Sequence, residues 1–213
     1  MSAIVLLTRT VGENMATASM TLRDITGMGY SPAKLKDSAL VMVDCQNTYR
    51  TGVMQLTNVE PAILEAQKLL HLARELKVPI IHIQHDAGPG TPYDITAEIG
   101  AISAEVAPQS GEDVIVKHFP NSFIETTLEM KLRSLRVEDV VLAGFMTHMC
   151  INSTARGAFN LGFKPTIVAS ACATRSLPTA GGKVIDAQTI HDSALASIRD
   201  LFAIVVDDMD ALA

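Results

Sequence analysis

The sequence predicts a three-layer α/β/α domain built on a six-stranded, mostly parallel sheet. Three observations carry that expectation. Short, continuous apolar runs alternate with segments of helical spacing, the pattern of strands covered on both faces by crossover helices. The 213 residues are 48% apolar and 19% charged, which suits one large, well-packed domain. Polar and titratable residues follow directly on several of the apolar runs, and ligands of parallel sheets gather at those strand ends.

Residues 1–37 carry no clear period, and Thr8 to Ser19 is small and polar, so this stretch reads as an N-terminal arm or cap before a domain of residues 38–213. Ala39 to Val43 is a buried strand running into the polar cluster Asp44-Cys45-Gln46-Asn47. Pro61 to Lys77 has helical spacing, with Ile63, Leu64, Leu69, Leu70, Ala73 and Leu76 apolar. Pro79 to Ile83 is the second strand, followed by Gln84-His85-Asp86, and Gly88-Pro89-Gly90 marks a loop. Val114 to Val116 is the third strand, ending at Lys117, and Thr126 to Leu135 is a helix. Val140 to Ala143 is the fourth strand, closed by Gly144. A helix from Cys150 to Leu161 stops at Gly162. Thr166 to Val168 is the fifth strand, Lys183 to Arg199 the last helix, and Phe202 to Val206 the sixth strand.

Composition excludes several classes of partner. The formal net charge of −6, the lack of a long basic run, 4% aromatics and no Trp argue against nucleic acid. No apolar run approaches the roughly 20 residues that span a bilayer, so no membrane partner is expected. Ile4 to Leu7 is short and has no basic residue before it, a poor signal peptide. Three cysteines without a CxxC argue against a disulfide framework or a zinc site and for a reducing cytoplasm. A small-molecule substrate remains the natural partner.

The strand-end residues can be assembled into a thiol site. A cysteine nucleophile acts as its thiolate, and a helix N-terminus and a nearby cation both favour that form. Cys150 opens the predicted helix after the fourth strand, and Lys117 offers the cation. Asp44, after the first strand, can take the thiol proton and later hand it to a leaving group.

The residues around these three carry a resemblance. Val43-Asp44-Cys45-Gln46-Asn47-Thr48-Tyr49, then Val116-Lys117 with Asn121-Ser122-Phe123, then Gly144 to Cys150 continuing into Ser153-Thr154-Ala155-Arg156, resemble in order the three motifs of the isochorismatase-like cysteine hydrolases. The resemblance covers roughly residues 38–206 and implies the Rossmann-like fold of that superfamily, with Asp44, Lys117 and Cys150 as catalytic residues. It further implies an oxyanion hole from the backbone N–H groups of Met146 and Cys150, a cis peptide at Phe145–Met146, and a homo-oligomer, either dimer or tetramer. Cys150 would attack a carbonyl carbon and form a thioester. Nicotinamidases of the superfamily place a metal-binding Asp-x-His after the second strand; here the chain reads Gln84-His85-Asp86, so neither metal nor other cofactor is expected. The resemblance thus favours hydrolysis of a small amide or related C–N bond. The alternatives are isochorismatase-type vinyl ether hydrolysis and an inactive, oligomeric binding protein.

Each residue also has a plainer reading. For Asp44 it is a loop brace, for Lys117 a solvated strand-end lysine, and for Cys150 a small buried hydrophobe; their joint pattern favours chemistry. Cys45 should point to the opposite face, into the core, and Cys172 reads as structural. His148 offers a Cys–His alternative, His82 and His118 read as core or neighbours, and His85 and Asp86 are a poor start for a metal site. Tyr49, Phe123 and Phe145 are the expected pocket walls.

Overall fold

A computed structural model describes residues 19–213; the part of the expected arm before residue 19 lies outside the described residues. Along the chain run α1 (Leu22–Thr26), β1 (Ala39–Val43), α2 (Val59–Glu75), β2 (Ile80–His85), β3 (Asp113–Lys117), α3 (Leu128–Ser134), β4 (Asp139–Phe145) and α4 (Asn152–Asn160). They are followed by β5 (Lys164–Ala173), β6 (Leu177–Pro178), β7 (Val184–Ile185), α5 (Ala187–Arg199) and β8 (Ile204–Val206).

Six strands form one sheet in the order β3-β2-β1-β4-β5-β8, every neighbour parallel. β1 is buried along its whole length. Successive strand residues face opposite ways. Leu40 and Met42 therefore enter one core, while Ala39, Val41 and Val43 enter the other. α2 covers the first core through Ile63, Ala66, Leu69 and Leu70. α3, α4 and α5 cover the second, with Leu132, Ala155, Leu195 and Ile198 buried there. Two apolar faces on one strand thus enforce the three layers.

The predicted strands and helices are all present, with shifted ends. β5 runs to Ala173, five residues past its expected end, through a register shift that sets Leu142 opposite Ile167 but Gly144 opposite Cys172. Residues 177–185 form the small antiparallel hairpin β6–β7. The last helix begins at Ala187, not Lys183, because the Asp186 side chain accepts the Thr189 N–H at 2.9 Å and caps it there. Cys150 does not open an α-helix. It lies inside a π turn, Thr147–Ile151, in which Ile151 N–H reaches Met146 O at 3.2 Å, and α4 starts at Asn152. That wider turn inserts one residue before the regular helix.

Residues 19–37 lie against the chain's C-terminal part. Leu22 N–H and Arg23 N–H donate to Asp200, and the Arg23 guanidinium donates to Leu201 O at 2.8 Å. Ala33 N–H donates to Thr166 Oγ1 at 3.1 Å.

Candidate active site

The strand order reverses between β1 and β4: β2 and β3 extend one way, β5 and β8 the other. Such a reversal opens a crevice at the carboxyl ends of the two central strands. Asp44 follows β1, and the π turn with Cys150 follows β4. Lys117, the last residue of β3, sits beside His85 in the β2–β3 register and reaches past it toward the crevice. The backbone there is tightly fitted. Gly144 lies opposite Val43, and a Cβ on it would stand 2.0 Å from Val43 O, so only glycine allows the two strands to meet. The Phe145–Met146 peptide is cis.

The structure brings Asp44, Lys117 and Cys150 together. Lys117 Nζ lies 2.8 Å from Asp44 Oδ2, and both side chains are 0% exposed. The well-directed hydrogen bonds of the ammonium go elsewhere: to Phe119 O at 3.0 Å, His85 Nδ1 at 3.2 Å and Cys150 Sγ at 3.4 Å. An ammonium has three protons, fewer than the four acceptors around it. The ion contact with Asp44 is the shortest of the four. Neither carboxylate oxygen of Asp44 has a directed hydrogen bond among the described residues. Buried carboxylates ordinarily do.

Burial pushes the Asp44 carboxyl upward, opposed by the charge of Lys117. Burial also pushes the Cys150 thiol upward, the Asp44 charge adds to this, and Lys117 opposes it. The expectation of a thiol already shifted toward thiolate is therefore corrected. Desolvation and the neighbouring carboxylate outweigh the lysine and set the thiol above its ordinary range. Burial, with the adjacent Lys117 charge, holds the His85 imidazole down at about 4, so it is neutral at physiological pH.

Several residues that the sequence did not single out hold this arrangement. Gln46 is fully buried; its amide donates to His85 O at 3.0 Å and Gly100 O at 2.7 Å and accepts from His85 N–H at 2.9 Å. It ties the end of β1 to the end of β2 and to the loop between β2 and β3. Asn47 grips the same loop, donating to Glu98 O and accepting from Ser103 Oγ, both at 2.9 Å. Ser122 and Thr154 join by their hydroxyls at 2.8 Å, linking the lysine motif to α4. Gln46 and Asn47 stand in the quoted motif, and their amide chemistry was the available signal.

Tyr49 is buried with its ring edge-on to Phe145 at 5.7 Å and to Tyr93 at 5.8 Å. Phe145 is wholly buried in the α2-side core, and Phe123 is half-buried and stacked on Phe163. Tyr93, from the long β2–β3 loop, also meets the His85 ring edge-on at 5.0 Å. Burial raises the Tyr93 phenol, and the nearby Cys150 and Asp44 charges add to that rise. Arg175 lies near both Tyr93 and His148: its charge opposes the rise at Tyr93 and adds to the lowering of His148 by burial, and its buried Nε has no partner among the described residues.

The other candidates turn away. His148 Nδ1 pairs with Thr174 Oγ1 at 2.5 Å, not with Cys150. His82 pairs with Glu112, and His118 is exposed with Nδ1 at 2.9 Å from Asp86 O. Cys45 and Cys172 are free and buried in the cores on opposite faces of the sheet. The Asp86 side chain accepts the Gly88 N–H at 2.9 Å, and no group of three or more His, Cys, Asp or Glu among the described residues is arranged to hold a metal ion. A cavity of about 550 Å³ between α2 and α5 touches Cys172, Thr174 and His191 but not Cys150.

The isochorismatase domain family model matches residues 38–210. The chain is 32% identical to the secreted isochorismatase effector Isc1 of Verticillium dahliae, over 88% of this chain and 97% of that one. It is 29% identical to the maleamate amidohydrolase of Pseudomonas putida, over 87% of each chain. The crystal structure of an isochorismatase from Pseudomonas putida superposes with a TM-score of 0.88 at 35% identity, covering 92% of this chain and all (100%) of that one.

Proposed function

This chain is a hydrolase of the isochorismatase family, and from that premise we propose that it cleaves a small amide or related C–N bond through a thioester on Cys150. One observation carries the proposal: a buried carboxylate without directed hydrogen bonds, Asp44, lies beside an ammonium that is hydrogen-bonded to the neighbouring thiol sulfur. A buried base left unsatisfied at rest is ready to receive a proton.

The steps follow from that arrangement. Asp44 takes the thiol proton as Cys150 Sγ bonds to the amide carbonyl carbon. The carbonyl π pair moves to oxygen, where the backbone N–H groups of Met146 and Cys150 receive it. The carbonyl re-forms, the C–N bond breaks, and Asp44 returns its proton to the leaving nitrogen. Water, deprotonated by Asp44, then attacks the thioester and releases the acid, and the sulfur is reprotonated. Lys117 stabilises the sulfur while it carries negative charge. The donor set around His85 and Asp86 offers no metal centre, because Lys117 occupies His85 Nδ1 and Asp86 binds a backbone N–H.

Tyr49 and Tyr93 would form an aromatic wall, and the partnerless Nε of Arg175 favours a substrate that carries a carboxylate. The maleamate amidohydrolase relative acts on such an acidic amide. The exposed apolar residues Val114 and Val116 on edge strand β3, with Phe119 and Ile124, favour a homo-oligomer, which light scattering at micromolar concentration would test against a monomer mass. Free, buried cysteines favour a reducing compartment, although the fungal relative is a secreted effector. A panel of small amides, acidic and neutral, assayed for ammonia release tests the activity. Turnover of at least one acidic amide is expected. Activity confined to vinyl ethers, with no amide cleaved, would contradict the proposal.

A further inference from the structure

We propose that His85 is a positioning residue for this chemistry: its Nδ1 lone pair takes one Lys117 proton and so holds the ammonium between the Asp44 carboxylate and the Cys150 sulfur. The proposal rests on the reading of Cys150 as nucleophile.

The geometry is a matter of counting protons. Lys117 has three N–H donors and four acceptors in reach: Phe119 O, His85 Nδ1, Cys150 Sγ and Asp44 Oδ2. Charge alone would give a proton to the carboxylate, since hydrogen bonds between ions are the stronger ones. The two neutral acceptors, at 3.0 and 3.2 Å, hold the ammonium where it lies 2.8 Å from Asp44 Oδ2 and still reaches the Cys150 sulfur at 3.4 Å. An ammonium can only donate, so His85 Nδ1 carries no proton and the imidazole is the Nε2–H tautomer.

The placement of His85 is itself built. It is in register with Lys117 across β2 and β3. Gln46 holds its backbone N–H and C=O together, and Tyr93 packs edge-on against its ring. The charged and titratable groups facing it are Lys117 and His118 from β3 and its following turn, Asp86 from the end of β2, and Tyr93 from the β2–β3 loop; Asp44 and Cys150 lie beyond Lys117. Without the His85 acceptor, a Lys117 proton is freed to turn to Asp44, which weakens the base and withdraws support from the sulfur.

Two polar variants separate positioning from bulk packing. His85→Asn sets an amide oxygen close to the Nδ1 position, whereas His85→Gln carries its amide one bond further out, near Nε2. The readout is the rate of Cys150 alkylation by iodoacetamide against pH, located by peptide mass spectrometry, which needs no knowledge of the substrate. His85→Gln is expected to slow alkylation about tenfold at neutral pH and to move its midpoint up by about one unit. His85→Asn is expected to recover most of the wild-type rate, and kcat on an amide substrate should follow the same order with KM little changed. Superimposable alkylation profiles for wild type and His85→Gln, or equal losses in both variants, would overturn the positioning role. A wild-type Cys150 that stays unalkylated across the pH range would sink the nucleophile reading beneath it, and the proposal with it.

Discussion

The molecule buries two acid–base clusters, and they are built in opposite ways. Near the start of β2 and β3, Glu112 takes two hydrogen bonds from Arg74, at 2.7 and 2.9 Å, one from the Gln109 N–H at 2.8 Å and one contact from His82 at 2.9 Å. At the other end of the sheet, Asp44 takes an ion contact from Lys117 but no directed hydrogen bond. Burial alone would raise the Glu112 carboxyl, but Arg74, Gln109 and His82 outweigh it and hold it at about 2. Burial wins at Asp44, whose carboxyl is raised. A fully satisfied carboxylate is fixed in its charge and ties the β2–β3 loop to α2; an unsatisfied one keeps a proton affinity that chemistry can use.

Substitution tests that contrast, the largest effect first. At the upper cluster, Asp44→Asn and Lys117→Met should each lower kcat by about a thousandfold or more, and the double variant should fall little further, because groups acting as one unit fail together. Steady-state kinetics on the amide identified by screening would show this, and additive losses would break the account. At the lower cluster, Arg74→Ala should cost about 2–3 kcal/mol of stability by stranding Glu112, with kcat unchanged; urea unfolding measures it. The acid limb of stability should follow Glu112 as well. Its folded pKa lies below its unfolded value, so its contribution is present above the ordinary carboxyl range and is lost as pH falls toward about 2. The lowered pKa of His82, due first to burial, works in the same direction: the unfolded chain binds that proton first, and stability declines as pH falls below the ordinary histidine range. Glu112→Gln should flatten the loss below pH ~5 in thermal melts. The smallest effect is expected from chelation. Exhaustive treatment with EDTA should leave turnover unchanged, whereas loss reversed by added zinc would mean that the upper cluster works with a metal after all.

What the sequence disclosed, and what it did not, follows the same physics. Continuous apolar runs expose the six strands because burial on both faces dictates composition at every position, as in Ala39 to Val43. Asp44, Lys117 and Cys150 were legible because Asp44 follows β1, Lys117 ends β3 and Cys150 lies in the turn after β4, where backbone direction fixes which end of the sheet a side chain reaches. The π turn at Thr147–Ile151 was not legible, since one extra residue per turn leaves the apolar pattern of α4 almost unchanged. Tyr93 and Arg175 were missed because they come from connections whose paths no periodicity reports. The direction of the thiol shift was missed for a different reason. It depends on how completely Asp44 and Cys150 lose water, a property of packing that spacing along the chain does not carry.

The central claim is that Cys150 carries the acyl group. Acid quenching of the wild-type protein during turnover of its amide, followed by peptide mass spectrometry, tests it most directly. The account predicts a mass increase equal to the acyl group on the peptide containing Cys150, absent in Cys150→Ala, which should show no measurable turnover. An unmodified Cys150 peptide together with near-wild-type turnover by Cys150→Ala would contradict it.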